Sequence, residues 1–224
     1  MADRTALLLG ASGLVGGHLL RELAADARWG RVVTLDRRPL PSAGPTHESV
    51  VVDFDRVGEV AERFACDDVF CALGTTINAA GSQAAFRRVD LEIPAEAARL
   101  ALAHGATQML LVSAYGAAPG SRMFYNRTKG QAEDAIRAVG FEAVQIARPS
   151  LLDGDREDDR LGERVGLAVL GALRPVLRGP LSALRPTEAV DVARALVAVA
   201  AARPVGAHVY GPDAIRQWAG RAEA

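Results

Sequence analysis

Tyr125 and Lys129 stand four residues apart in the stretch Phe124-Tyr125-Asn126-Arg127-Thr128-Lys129-Gly130. On a helix, residues i and i+4 share a face, so a phenol and an ammonium can reach one small volume. An ammonium beside a phenol favours the phenolate, which suits the phenol to moving a proton near neutral pH. The spacing alone is a weak signal, because helices are full of such pairs. Ser113 strengthens it: it ends an apolar run twelve residues before the tyrosine. A hydroxyl there can donate to a substrate carbonyl. Tyr125 can then give that oxygen its proton as charge develops in the transition state, while Lys129 holds a cofactor ribose. Taken singly, Ser113 reads as a strand-end cap and Tyr125 as a packing aromatic. Tyr115 is a rival acid, but Pro119 occupies its i+4 position.

A second constellation lies at the amino end. Gly10-Ala11-Ser12-Gly13-Leu14-Val15-Gly16 follows a short apolar run and opens a helical pattern. Gly10 permits a tight turn, Gly13 lets a diphosphate approach the backbone, and Gly16 lets helix and strand pack closely. Free N–H groups and the helix dipole then attract the anion, and Ser12 can add a hydroxyl donor. Asp36 follows Gly16 by 20 residues, the spacing of an acidic ribose ligand. Asp36-Arg37-Arg38 is a mixed signal. The carboxylate suits the 2′-hydroxyl of NAD. The arginines suit the 2′-phosphate of NADP, with Asp36 turned outward onto one of them. NADP(H) is the favoured expectation and NAD(H) the alternative. Asp53 is placed either to bond the adenine amino group or to cap the chain where its strand ends.

These residues need a rigid edge to stand on. Apolar runs over 6–9, 32–35, 49–53, 68–73, 108–113, 143–147 and 208–210 predict strands. Helical periodicity predicts helices over 14–25, 57–64, 82–104, 124–139, 161–173 and 187–202. Unbroken runs such as Leu7-Leu8-Leu9 suit a parallel sheet buried on both faces. The alternation predicts an α/β fold: a doubly wound, mostly parallel sheet with helices on both faces. The 224 residues form one domain in this reading, with 150–186 as a small cap on the substrate side. Arginines 156, 160, 164, 174, 178 and 185 crowd that cap.

Composition narrows the function. With 26 basic and 27 acidic residues, the net charge of −1 gives no electrostatic case for nucleic acid or an anionic membrane. The longest apolar stretches, 165–173 and 196–202, are far shorter than the ~20 residues that span a bilayer. Cys66 and Cys71 form neither a C-x-x-C pair nor a zinc site, and Met1-Ala2-Asp3-Arg4 leads into too short an apolar run for a signal peptide. A cytoplasmic protein, monomer or homodimer, is the expectation. Metal chemistry is not expected, since His18, His47, His104 and His208 are scattered and H-E-x-x-H is missing. A serine hydrolase is not expected either, because neither Ser12 nor Ser113 lies in G-x-S-x-G.

Together, G-x-x-G-x-x-G, then Ser, then Y-x-x-x-K resembles the short-chain dehydrogenase/reductase superfamily. Cys71-Ala72-Leu73-Gly74-Thr75-Thr76, Ala80-Gly81-Ser82, Phe86-Arg87-Arg88-Val89-Asp90, Gly116-Ala117, Lys129-Gly130-Gln131-Ala132-Glu133 and Arg148-Pro149 sharpen the likeness. They are similar to the atypical subgroup that includes the Tat-interacting-protein oxidoreductases and bacterial relatives. The resemblance covers about the first two-thirds of the chain. It implies a Rossmann sheet and cofactor contacts at Gly10, Ser12, Gly13, Leu14, Val15, Arg37, Asp53, Leu73, Gly74, Tyr125 and Lys129. It also implies hydride exchange with a small carbonyl or alcohol substrate. Three positions depart from the pattern. Ala114 stands where relatives often have a second serine. Asp36 stands where NADP-preferring relatives often have a smaller or neutral residue. The superfamily's asparagine after the fourth strand is absent, leaving Thr75, Thr76 or Asn78 as substitutes. The competing class is a dinucleotide-binding regulatory or scaffold protein with little turnover, since a fold alone does not decide function.

Overall fold

All seven expected strands form, and they form one sheet. The computed structural model describes residues 4–153 and 185–222. β1 (Arg4–Leu9), β2 (Trp29–Asp36), β3 (His47–Val51), β4 (Asp68–Cys71), β5 (Gln108–Val112) and β6 (Ala143–Ala147) follow one another along the chain. β7 (Leu152–Asp153) and β8 (Thr187–Glu188) make a separate two-stranded ladder, and β9 (Gly206–Tyr210) completes the main sheet. Its order is β3-β2-β1-β4-β5-β6-β9, parallel throughout. The chain winds outward from β1 through β2 to β3, then returns to β4 on the other side of β1. The crevice between the carboxyl ends of β1 and β4 is where such sheets bind ligands.

Period-two alternation explains the apolar runs. Ala6 and Leu8 of β1 face one layer, with Leu19 and Leu23 of α1 (Leu14–Ala25) and Val192 and Leu196 of α6 (Ala189–Ala202). Leu7 and Leu9 face the other, with Ala97 and Ala101 of α4 (Ile93–Ala103) and Ile136 of α5 (Phe124–Arg137). A strand covered on both faces has no position at which a polar residue is free of cost.

The connections hold the departures. A 3₁₀ stretch, Phe54–Phe64, replaces the expected helix and is kinked at Arg56 and Val60. The single helix expected over 82–104 is three pieces, preceded by α2 (Ile77–Ala80). Gly81, at φ +78°, ends α2, and Ser82 caps α3 (Gln83–Arg87) by accepting from the Ala85 N–H. A π turn, Arg88–Glu92, then joins α3 to α4. Pro94 accounts for it. A proline lacks an N–H, and its ring crowds the carbonyl four residues back, here that of Asp90. One wider turn relieves the crowding, and it carries Asp90 inward, where the residue is buried. α7 (Pro212–Ala222), opened by a proline, was not expected from periodicity. The helix expected over 161–173 lies outside the described residues, as does most of the 150–186 cap; β7, at its start, pairs with β8, just past its end, through Leu152 and Thr187.

Candidate active site

The glycine turn sits at the carboxyl end of β1. Gly10 adopts φ +85°, and a Cβ there would lie 2.9 Å from the backbone of Ala72 and Leu73. A Cβ on Gly16 would lie 1.9 Å from the Gly10 carbonyl oxygen. The first and third glycines are therefore fixed by packing between β1, α1 and the exit of β4. Gly13 meets only the Gly10 oxygen closely, at 3.2 Å, so packing constrains it less. It opens α1 with no side-chain cap, which leaves the positive end of the helix to an anion. Val15 is core and Leu14, partly buried, packs against the same cluster.

Asp36 does not turn outward. It is 3% exposed, and its Oδ1 accepts from both the N–H and the hydroxyl of Ser12, at 3.3 and 3.1 Å. Its Oδ2 is buried with no hydrogen-bond partner. Burial raises its pKa above the ordinary carboxylate value, opposed by the two bonds from Ser12. Arg37 and Arg38 are exposed beside it. Ser12 thus serves the carboxylate. Asp53 is exposed and caps the 3₁₀ stretch by accepting from the Asp55 N–H.

Past the turn, Gly10 packs on Ala72 and Leu73, and the next residue is Gly74. Gly74 borders a buried ion pair: Lys129 Nζ lies 2.7 Å from Asp90 Oδ1. A Cβ on Gly74 would lie 3.5 Å from that oxygen and 3.6 Å from Nζ. Asp90 Oδ2 accepts from the Thr75 N–H at 2.9 Å. Lys129 is 6% exposed. Burial would push its pKa down, but Asp90, with help from Tyr125 and Cys71, more than offsets that and holds it above the ordinary lysine value. Tyr125 precedes it by one turn of α5, its ring against Phe86 at 5.7 Å between centroids. Cys71 is buried in the same place; burial pushes its thiol up to about 11, so it stays protonated.

Ser113 belongs to a different cluster. Its hydroxyl donates to Glu133 Oε1 at 2.5 Å, and Arg148 bonds both oxygens of Glu133, at 2.8 and 2.6 Å. Arg137 adds a fourth contact at 3.1 Å. Burial favours the neutral acid, yet Arg148, Ser113 and Arg137 hold the Glu133 pKa below its ordinary value. The cluster ties the end of β5 to α5 and to the end of β6.

Asp90 is the residue that sequence reasoning passed over as a site residue. Thr75, Thr76 and Asn78, the candidate substitutes for the missing asparagine, lie on the exit of β4 and in α2. Thr75 uses its N–H on Asp90, Thr76 caps α2, and Asn78 is exposed. The available signal was Pro94, whose spacing from Asp90 demands a distorted turn. A second signal was composition: of 26 basic residues only Lys129 is a lysine.

A family profile described as NAD(P)H-binding matches residues 10–173, more than half of the chain. The chain belongs to this family. Protein HTATIP2 of Rattus norvegicus is 34% identical over 177 residues, 77% of this chain and 73% of that one. Protein FMP52, mitochondrial, of Eremothecium gossypii is 33% identical over 198 residues, 87% and 88% of the two chains. Among solved structures, MoeE5 in complex with UDP-glucose and NAD superposes with a TM-score of 0.70 at 21% identity, covering 97% of this chain and 81% of that one. A putative NAD-dependent epimerase/dehydratase from Bacillus halodurans gives 0.66 at 18% identity, covering 97% and 99%. These likenesses establish the Rossmann fold, and the sequence relatives bear out the Tat-interacting-protein resemblance. They also correct the expected location. The FMP52 relatives are named as mitochondrial, which overturns the cytoplasmic expectation. Two free cysteines do not distinguish one reduced compartment from another. No helix among the described residues is long and apolar enough to cross a membrane.

Proposed function

We propose that this NAD(P)H-binding protein is an oxidoreductase that interconverts a small carbonyl compound and its alcohol, with Tyr125 moving the proton. One observation carries the reading. The glycine turn, Ala72-Leu73-Gly74 and the Lys129–Asp90 pair form a single line of backbone and side-chain contact across the β1/β4 crevice. Gly13 and the open start of α1 would hold the diphosphate of a dinucleotide, and Lys129 its nicotinamide ribose. A bound nicotinamide supplies or accepts the hydride. Lys129 holds the nicotinamide ribose and keeps a positive charge beside Tyr125. Tyr125 gives or takes the proton at the substrate oxygen. The hydroxyl proton of Ser113 is committed to Glu133, so in this reading Ser113 steadies the helix that bears the Tyr/Lys pair. Exposed Tyr115, Met123 and Leu151, on loops leaving β5 and β6, suit the apolar flank of a small substrate.

For the cofactor, the buried and unpartnered Asp36 Oδ2 favours NAD(H) over NADP(H). It is an acceptor awaiting a hydroxyl, and a 2′-phosphate there would meet a carboxylate already short of donors. The test is a carbonyl-reduction screen with NADH and NADPH on the wild type and Tyr125→Phe. Turnover that vanishes in the variant while dinucleotide binding persists supports the reading. Binding without turnover on any carbonyl in the screen indicates a dinucleotide-binding regulator instead.

A further inference from the structure

We propose that Asp90 is a positioning residue: its carboxylate fixes the Lys129 ammonium beneath Gly74 and sets the pH range over which the Tyr/Lys pair works. The inference rests on the oxidoreductase reading for its kinetic consequence, though not for its structural one. Three observations carry it. Asp90 is 2% exposed, and its two oxygens are divided between the Thr75 N–H at 2.9 Å and the Lys129 ammonium at 2.7 Å. The π turn that Pro94 imposes brings it there. Gly74 leaves no side chain between the pair and the crevice, so a ligand backbone or ribose can reach the ammonium.

The charges facing Lys129 are Asp90 from the π turn, Tyr125 from its own helix and Cys71 from β4. Near neutral pH Cys71 is a neutral thiol, so there Asp90 is the counterion that lets a buried lysine remain charged. An ammonium is a compact point charge, unlike the broad planar fork of an arginine. A chain that uses 25 arginines for its other basic positions keeps its lone lysine here. Asp90 also tempers that charge. With Asp90 ionised, Tyr125 works beside a neutralised pair; without it, the phenol would face an uncompensated cation. Loss of Asp90 therefore lowers the pH at which Lys129 gives up its proton.

The single lysine makes the test direct. Protein grown with Cε-labelled lysine gives one side-chain carbon signal, and its titration reads Lys129 without assignment. In the wild type the midpoint is expected above that of an exposed lysine. In Asp90→Asn, which keeps an oxygen for the Thr75 N–H, it is expected to fall by about one pH unit or more. The kcat/KM profile is expected to move as well. An unmoved midpoint and profile in a folded Asp90→Asn would overturn the proposal while leaving Tyr125 catalysis intact. A wild-type midpoint at or below that of an exposed lysine would overturn it even if Asp90→Asn does not fold. Turnover retained in Tyr125→Phe would instead remove the oxidoreductase reading and leave the lysine titration to judge Asp90 alone.

Discussion

The two ends of the sheet handle buried aspartates differently. At the amino end, Asp68 is fully buried and fully served: Arg4 lies 2.6 Å from Oδ1, and the Trp29 indole N–H donates to Oδ2 at 2.8 Å. At the carboxyl end, Asp36 is just as hidden, yet one of its oxygens has no partner, and Asp90 spends one of its two on Lys129, itself buried beside Gly74. The first arrangement stabilises a fold. The second leaves bonding capacity unused, at a cost in stability, in the place where a ligand would restore it.

Substitutions can break that contrast. Tyr125→Phe is expected to give the largest kinetic effect, a loss in kcat of about a hundredfold or more, with dinucleotide affinity within twofold by calorimetry. Asp68→Asn should cost about 3 kcal/mol in denaturant unfolding, because it leaves Arg4 without its buried partner, and should not alter dinucleotide affinity. Asp36→Asn should do the reverse, weakening NADH binding about tenfold with little loss of stability. Its pH dependence carries a sign. Burial raises the folded pKa of Asp36 above its unfolded value, so this group's contribution to stability is complete below the unfolded value and lost as pH rises through the folded one. Melting temperatures of wild type and Asp36→Asn should therefore differ in the variant's favour more at neutral pH than near pH 4. Glu133 runs the other way, since its folded pKa is depressed. Its stabilisation is present above the unfolded value and lost as pH falls through the folded one. Glu133→Gln should accordingly narrow the stability gap to wild type on acidification. The glycines divide in the same way: Gly13→Ala should retain its fold and lose affinity, whereas Gly16→Ala should lose stability first, as its 1.9 Å clash with backbone predicts.

Much of this was legible in the sequence. Apolar runs identified every strand of the main sheet; the inner ones left the strongest mark because they are buried on both faces, whereas the edge strands β3 and β9 are half-buried or exposed. The glycine turn and the Tyr125/Lys129 pair were legible because each depends on short spacings. What depended on long-range placement was not. Nothing local says that Asp36 turns in onto Ser12, or that Ser113 meets Glu133 twenty residues later. Asp90 sat within a helical pattern and was hidden by the assumption of a regular helix. Pro94 contradicted that assumption, and the π turn is how the chain accommodates it.

The central claim is that the carboxyl end of the sheet holds a dinucleotide whose ribose meets Asp36. Calorimetric titration of nucleotide-free protein with NADH and NADPH tests it most directly. The account predicts micromolar binding of NADH and binding of NADPH at least about tenfold weaker. Tighter binding of NADPH would contradict the role given to Asp36, and binding of neither would contradict the site itself.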